Sequence, residues 1–406
     1  MQYKNKTEQL LHTPDGVRDI YNGEYKRKLI VEEKLHQVFM RYGCLDIQTP
    51  TFEYFDVFNN QIGTIPSKDL YKFFDKEGNT LVLRPDFTPS IARCAAKYYL
   101  EEEETVKLCY SGNTFINSSD YQGRLKEVTQ CGVEVIGDAS VFADAETLAM
   151  VVEALRSVKI EEFQISVGHA GFFLALLEEA GIEKEAEKEL RDLLNNKNFL
   201  GVEEFIENLD VDTDLKSLFG LLGSFHISME DMQEAKKAAA KYPQIEKAIF
   251  ALEELNRYLE LFKIDRYVSF ELGMISNYQY YTGIIFAGYT YGLGEPIVKG
   301  GRYDNLLSYF GKNAPAIGFA FVADQLLSAI TRQQITISTK QDNVLIVFEK
   351  DMEEQAIELS MYYRKEGKPA TMLFAEDGLY HMDKTIYEDY AKRHHIAKNI
   401  YLCKEI

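Results

Sequence analysis

Polar side chains interrupt several strongly apolar stretches of the sequence, and their types and spacing suit a binding pocket. Gln130 and Glu134 lie four positions apart in "VTQCGVEV" (128–135). Because side chains alternate along a strand, this spacing places the amide and the carboxylate on one face. Further polar residues in apolar surroundings are Arg84, Asp86 and Thr88 in "LVLRPDFTPSIAR", and Tyr280 and Tyr281 before "TGIIF".

Two interpretations of these polar residues are open from chemistry alone. Buried carboxylates and amides are costly unless they find partners. If the groups converge, they form a pocket for a small polar ligand that carries a positive charge or an amino group. The alternative is that they satisfy one another in a polar network within the core.

A region that mixes helices and strands must position these side chains. Apolar residues at helical spacing in "GEYKRKLIVEEKLHQVFMRYG" (23–43) predict an amphipathic helix that stops at Gly43. The alternating run "CLDIQTPTFEYFDVF" (44–58) predicts a strand, with an edge or a bend at Pro50. "TVKLCYSG" and "EVTQCGVEVIG" predict further strands, and residues 141–158 predict a helix.

The pattern then changes along the chain and predicts two domains. Residues 1–332 form the predicted core, and the charged, helix-rich stretch at about 175–262 predicts a helical insertion within it. Residues 340–406 alternate strand, helix, strand, helix and strand, which predicts a small α/β domain with a parallel sheet. Residues 331–343 are the predicted linker.

Composition limits the class of protein and its partners. The chain has 406 residues, a hydrophobic fraction of 46% and a formal net charge of −19. Nucleic-acid binders usually present a basic surface, so this charge makes binding of a nucleic acid unfavourable. No apolar run predicts a membrane span, no signal-peptide pattern is seen, and the five cysteines show no zinc spacing. We therefore expect a cytoplasmic protein with reduced thiols and no metal.

Common catalytic motifs are absent from the sequence. It contains no Walker A loop, no GxGxxG after a strand, no GxSxG elbow and no HExxH. His169 in "SVGHAG" could serve as a base, but a lone histidine among small residues is more often packed or hydrogen-bonded. Familiar catalytic chemistry is therefore hard to find in the sequence, and nothing in it indicates a cofactor.

The polar segments also carry a family resemblance. "TPDGVRDI", "LVLRPDFTPSIAR", "CYSGNTFINSSDYQGRLKEVTQCGVEVIG", "YYTGIIF" and "GGRYDNLLSYFGKNAPAIGFAFVADQLL" resemble, in order and spacing, the motifs of histidyl-tRNA synthetase. The resemblance covers residues of about 10–330. It implies an α+β fold, with a class II synthetase-like antiparallel sheet flanked by helices, the helical insertion and the small C-terminal α/β unit.

The amino-acid side of that family's active site is kept. The resemblance implies histidine binding by Asp86 (in place of glutamate), Thr88, Gln130, Glu134, Tyr280 and Tyr281. In the family the acidic residue and the threonine hold the α-amino group, the glutamine lies near the carboxylate, and the glutamate and a tyrosine contact the imidazole.

The departures from the family lie where synthetases have arginines that handle ATP. The matching positions here are Ile116, Ser119, Ser276 and Gln325. Arginines stabilise the charge that develops on phosphate during adenylation, and loss of one such donor can cost on the order of 100–1000-fold in rate. Arg124 matches a position in the same loop, where it points either to the former phosphate site or to solvent.

This combination resembles the family of regulatory subunits of ATP phosphoribosyltransferase. That resemblance implies no catalysis by this chain, a short-form catalytic subunit as partner, L-histidine as effector, and a homodimer (through about 23–58) within a hetero-oligomer. The inhibitory histidine could lie in the former active site or at a subunit interface. A divergent histidyl-tRNA synthetase and another synthetase-derived histidine-binding protein are the alternatives. Because the chain is acidic, we favour a vestigial or assembly role for the C-terminal unit over tRNA binding, which we do not expect.

Overall fold

The computed structural model describes residues 10–58, 65–99, 105–117, 125–276, 280–339, 342–375 and 384–403. The chain divides into two compact units, residues 1–336 and residues 337–406. Each unit has its own sheet and core.

The helices of the described residues are α1 (Asn22–Arg41), α2 (Thr88–Tyr98), α3 (Val141–Ser157), α4 (Ala170–Glu179), α5 (Lys184–Asn195), α6 (Phe199–Glu207), α7 (Thr213–Gly220), α8 (Met229–Ala239), α9 (Pro243–Leu261), α10 (Ala323–Arg332), α11 (Glu353–Lys365) and α12 (Thr385–Arg393). The strands are β1 (Leu45–Asp46), β2 (Phe52–Tyr54), β3 (Lys72–Phe74), β4 (Thr80–Leu83), β5 (Val106–Phe115), β6 (Glu127–Ile136), β7 (Phe163–His169), β8 (Val268–Phe270), β9 (Ile284–Thr290), β10 (Val298–Arg302), β11 (Ala316–Val322), β12 (Val344–Phe348), β13 (Ala370–Phe374) and β14 (Lys398–Leu402).

An eight-stranded sheet in the order β1-β5-β6-β11-β10-β9-β7-β8 forms the centre of the first unit. The six inner strands pair antiparallel, and only the edge strands β1 and β8 pair parallel to their neighbours. β5 and β6 pair over ten residues each. This long pairing fixes the backbone of β6, and with it the positions from which its polar side chains extend.

Helices α1 and α3 pack against each other and against the sheet. In α1 the buried residues Val31, Leu35, Val38 and Phe39 recur at helical spacing, and Gly43 follows the helix with a φ of +78°. In α3 the buried residues lie on nearly every side, as expected for a helix enclosed in the core, and Ser140 caps its start by accepting from the Ala143 N–H. The opposite face of β6 is thus left for the polar side chains.

The run 44–58 does not form one strand. β1 belongs to the large sheet, whereas β2 belongs to a separate three-stranded sheet in the order β2-β4-β3. The break includes Pro50, which lacks the N–H that a continuous ladder requires. The predicted bend is therefore present, and it transfers the chain from one sheet to another.

Helices α4 to α9 fill the chain between β7 and β8, and within this interval the described residues form no strand of either sheet. Side-chain caps stabilise several starts, including a capping box between Ser228 and Asp231 at α8. α9 packs against α3, α4 and α8. This segment therefore has extensive helix contacts and adds no strand to the central sheet.

The second unit is a parallel three-stranded sheet in the order β13-β12-β14. β12 is buried from Val344 to Val347, and α11 packs against β12 and β13. The predicted strand and helix order of residues 340–406 is found here. Across the chain, the described helices include none that is both long and apolar enough to cross a membrane.

Candidate functional site

All of the predicted ligand-binding residues line one cavity of about 740 Å³, which we call the acidic cavity: Asp86, Thr88, Gln130, Glu134, Tyr280 and Tyr281. They come from widely separated parts of the chain, namely the segment before α2, the strand β6 and the segment before β9. A volume of this size fits a small-molecule ligand.

Strand register and glycine make the space for Glu134. Glu134 on β6 pairs with Gly318 on β11, and Gly318 pairs with Gly301 on β10. A Cβ atom added at Gly318 would overlap the Glu134 carboxylate, and one added at Gly301 would lie 2.7 Å from the Tyr281 ring. Because glycine has no side chain, the Glu134 carboxylate can lie over Gly318 and the Tyr281 ring over Gly301.

Glu134 is the centre of a buried hydrogen-bond network. The Thr88 hydroxyl donates to its Oε1 at 2.7 Å, and the Tyr303 hydroxyl donates to its Oε2 at 2.5 Å. Tyr303 packs in turn against the Tyr280 ring, with centroids 5.8 Å apart. The two interpretations left open by the sequence are therefore both realised, because these groups partner one another and also line the cavity.

Burial raises the pKa of Glu134 to about 8, and the two hydroxyl donors only partly oppose this. Burial also raises the pKa of Asp86, which accepts weakly from the Tyr280 hydroxyl and the Thr88 N–H, each at 3.4 Å. A cationic ligand would offset the cost of ionising both carboxyl groups. The acidic cavity is thus electrostatically suited to an amine or an imidazolium.

The raised pKa of Glu134 predicts a pH-dependent effect of the Glu134→Gln substitution. Between about pH 4.5 and pH 8 the folded chain keeps a proton on Glu134 that the unfolded chain releases. The stability contributed by this group is therefore complete at low pH and is lost as the pH rises towards 8. Glutamine does not titrate, so the melting temperature of the variant relative to wild type should rise across this window. Thermal unfolding followed by circular dichroism measures it, and a difference that is constant with pH would contradict the prediction.

Gln130 has an amide oxygen that is buried without a hydrogen-bond partner among the described residues. Such an atom costs free energy unless a ligand or water satisfies it. Gln130 lies on the cavity side of β6, two alternations from Glu134. Its free acceptor is therefore placed for an N–H donor of a ligand.

The lining of the acidic cavity carries four carboxyl groups, on Asp86, Glu134, Glu295 and Asp324. Lys299 is the single Lys or Arg side chain among the described residues that line it. Ile116 and Gln325, at two positions where the synthetase resemblance places arginines, also line this cavity. Ser276 lines a neighbouring cavity instead, and Ser119 and Arg124 fall outside the described residues.

Arg84 is not among the residues that line the cavity. Its guanidinium donates to the backbone carbonyls of Asn113 at 2.8 Å and Thr49 at 2.9 Å, and lies 4.0 Å from the centre of the Phe87 ring. Arg84 therefore fixes the strands and the segment that leads to Asp86, and it acts on the site by positioning rather than by contact.

His169 is a helix cap. Its Nδ1 accepts from the Phe172 N–H at 3.1 Å at the start of α4, and burial lowers its pKa to about 4. Neutral histidine is the form that can accept this bond. The packed, hydrogen-bonded interpretation of His169 is therefore the one that the structure supports.

The structure brings together one group of metal-binding atoms that the sequence spacing did not indicate. Donor atoms of His36, Asp46 and Cys109 lie within 4.8 Å of one another. His36 Nε2 and Asp46 Oδ1 are paired at 2.7 Å, and burial raises the pKa of Cys109 to about 12. The Cys109 thiol also donates to Asp46 Oδ1 at 3.6 Å, so the three groups already satisfy one another and carry no proposal of a metal site.

The sequence interpretation missed Tyr303 and the three glycines Gly300, Gly301 and Gly318. Tyr303 is 1% exposed and donates to Glu134, yet in sequence it is one aromatic residue among many. The glycine pair in "VKGGRYD" did offer a signal, because adjacent glycines within a strand often mark a close approach.

Comparisons with known proteins agree with this geometry. Residues 16–326 match the family model described as histidyl-tRNA synthetase. A protein of Ruminiclostridium cellulolyticum named ATP phosphoribosyltransferase regulatory subunit is 37% identical over 390 residues, covering 96% of this chain and 91% of that protein. One of the same name from Thermoanaerobacter sp. is 36% identical, covering 94% and 98%.

A solved structure extends the likeness to the whole fold. The crystal structure of an ATP phosphoribosyltransferase regulatory subunit/histidyl-tRNA synthetase from Bacillus halodurans has a TM-score of 0.84 at 30% identity, covering 98% of this chain and 99% of that one. The predicted class II synthetase-like fold is therefore confirmed. With its histidyl-tRNA synthetase core and its regulatory-subunit relatives, this chain belongs to the family of ATP phosphoribosyltransferase regulatory subunits.

Proposed function

We propose that the chain binds a short-form ATP phosphoribosyltransferase catalytic subunit, is required for its activity, and transmits feedback inhibition by L-histidine. The observation that carries the proposal is the acidic cavity. Its amino-acid side keeps the residues expected for histidine, whereas Ile116 and Gln325 stand at positions expected to hold arginines. Such a cavity favours binding of an amino acid over activation of its carboxylate.

The chemistry of the lining suits histidine. The α-ammonium group pairs with Asp86 near the Thr88 hydroxyl, and its N–H groups can satisfy the free amide oxygen of Gln130. The imidazole lies towards Glu134, which accepts an N–H from the ring. Asp86 is one methylene shorter than the glutamate of the synthetase family, so its contact with the ammonium group differs from the one in that family.

The same lining disfavours adenylation. A transferred adenylyl group brings negative charge, and the described part of the lining offers Lys299 against Glu295 and Asp324 in addition to the histidine-binding carboxylates. Carboxylates near phosphate raise the barrier that arginines lower. We therefore assign to this chain a regulatory role and no reaction of its own.

Regulation follows from linkage. If histidine binds more tightly to the inhibited state of the complex than to the active state, its binding shifts the population by that difference in affinity. The strands of the sheet hold part of the histidine site in one geometry. A difference in histidine affinity between the two states would then come from movement of a segment beside the sheet. In the same proposal the chain works in the cytoplasm as a homodimer within the hetero-oligomer, and the C-terminal unit has a vestigial or assembly role.

Reconstitution tests the proposed function. The chain should co-purify with a short-form catalytic subunit from the same genome and raise its ATP- and phosphoribosyl pyrophosphate-dependent activity. Addition of L-histidine should then inhibit the complex more strongly than it inhibits the catalytic subunit alone. Absence of a complex, together with unchanged activity, would defeat the proposal.

An adenylation assay is the matching control, because the family model of the core is that of a synthetase. Pyrophosphate exchange dependent on histidine and ATP should stay at background with the purified chain. Robust exchange would favour a divergent histidyl-tRNA synthetase and would overturn the regulatory assignment.

A further inference from the structure

A second cavity, of about 680 Å³, shares the lining residue Tyr281 with the acidic cavity. Its walls come from the start of α4, from α5 and from the segment between β8 and β9. Among its lining residues, the proposed histidine site uses Tyr281 alone. Its volume is that of a pocket for a small molecule of nucleotide size.

The charge of this second cavity is opposite to that of the acidic cavity. Lys184, Lys188 and Arg191 line it, Glu187 is the one carboxylate among the described lining residues, and we call it the basic cavity. The three cations lie at positions i, i+4 and i+7 of α5, so they share one helix face. The chain as a whole has a net charge of −19, so a helix face with three cations differs locally from the rest of the protein. Such a face favours the binding of an anion.

The cations of the basic cavity differ in how they are held. The Arg191 guanidinium donates to Glu187 at 2.8 Å and lies 4.7 Å from the centre of the Phe173 ring. Lys184 and Lys188 are exposed, and neither forms an ion pair with the described residues. Arg191 is therefore largely compensated, and the two lysines supply the charge that remains for a ligand.

Apart from Ser276, the rest of the described lining of the basic cavity is apolar. Phe173, Leu174, Met274 and Ile285 contribute side chains, and Tyr281 contributes an aromatic ring. A bare anion such as phosphate would gain little from these walls, because the hydrophobic contribution scales with the apolar area removed from water. A planar, weakly polar ring attached to a phosphate matches both the lysines and the walls.

From this arrangement we propose that the basic cavity binds a nucleoside monophosphate, with the phosphate at Lys184 and Lys188 and the base against the apolar walls. The site is distinct from the acidic cavity, although the two share Tyr281. An extended RNA is a poorer match, because the net charge of the chain repels a long polyanion.

Calorimetric titration of the full chain with adenosine 5′-monophosphate tests the proposal. Saturable binding of one molecule per chain is expected, and adenosine or inorganic phosphate alone should bind more weakly. The double substitution Lys184→Glu and Lys188→Glu should weaken binding by at least about tenfold, since it turns two attractions into repulsions. Both lysines are exposed, so the fold should persist, and an unchanged melting temperature verifies this.

Two controls place the site. The double substitution Lys237→Glu and Lys247→Glu changes the net charge by the same amount. Both positions are exposed, on α8 and α9, and line neither cavity, so the affinity for adenosine 5′-monophosphate should stay unchanged. Lys299→Glu, in the acidic cavity, should also have no effect. Absence of saturable binding, loss of binding only with Lys299→Glu, equal affinity for phosphate alone, or preference for an RNA oligonucleotide would each overturn the proposal.

Discussion

Replacement of Asp144 by alanine is expected to lower the free energy of unfolding of the first unit by about 3–5 kcal/mol. Asp144 on α3 accepts two hydrogen bonds from Arg302 at the end of β10, at 2.8 Å and 2.6 Å. The two side chains are 6% and 7% exposed. Removal of the carboxylate leaves a guanidinium that is buried without its main counter-charge, which is far more costly than loss of a surface pair.

The expected loss has a direct bearing on the acidic cavity. Arg302 also donates to the backbone carbonyls of Asp138 and Ser140, so it joins the start of α3 to the end of β10. Its neighbours in sequence are Gly301 and Tyr303, which line the cavity. Loss of the Asp144 contact should therefore shift Tyr303 and weaken its hydrogen bond to Glu134, in addition to lowering overall stability.

Urea unfolding followed by circular dichroism measures the effect, since the chain has no tryptophan. Glu153→Ala is a matched control on the same helix. Glu153 accepts from Arg41 at 2.7 Å, but the two side chains are 44% and 57% exposed, so its loss should cost less than about 1 kcal/mol. An equal loss of unfolding free energy in the two variants would show that burial does not determine the strength of the Asp144–Arg302 ion pair.

Replacement of Glu134 by alanine is expected to weaken histidine binding by about 10- to 100-fold, in line with loss of a hydrogen bond to a charged group. The prediction rests on the proposed function. Besides the contact with the imidazole, the substitution removes the acceptor of the Thr88 and Tyr303 hydroxyls. Both hydroxyls would lose the geometry in which they help to shape the cavity.

Calorimetry with L-histidine measures this effect, with the melting temperature as a check that the fold persists. Glu127→Ala is the control on the same strand, because Glu127 lies at the far end of β6 and is not among the cavity-lining residues. Glu134→Gln separates charge from shape, since it keeps the size and an acceptor. If histidine affinity is unchanged in Glu134→Ala, the effector site lies elsewhere, for example at a subunit interface.

Local pattern was a reliable guide to the separate elements. The helix predicted at 23–43 spans Asn22–Arg41, and the one predicted at 141–158 spans Val141–Ser157. Burial is periodic in α1, and a stop or cap residue adjoins each helix, Gly43 after α1 and Ser140 before α3, so no distant contact is needed to place these ends. The run at 44–58 was less predictable, because the two halves of one alternating pattern join different sheets.

Convergence of the site residues was predictable only through the family resemblance. Spacing within β6 placed Gln130 and Glu134 on one face, but no local rule relates them to Asp86 or to Tyr280. The structure places all of these residues on the acidic cavity. The basic cavity was missed for a related reason, since the charged face of α5 is indistinguishable in sequence from a solvated helix face.

The sequence by itself determined most of the helices and strands and, through the family resemblance, the fold of the core. These depend on neighbours within a few positions or on motif order. Tertiary structure alone decided that Tyr303 completes the Glu134 network, that Gly318 leaves room for Glu134 and Gly301 for Tyr281, and that Tyr281 lines two cavities of different charge. Those features arise from strand register and from packing between residues far apart in the chain. Contacts of that kind do not produce a periodic pattern of residues that could be recognised in the sequence.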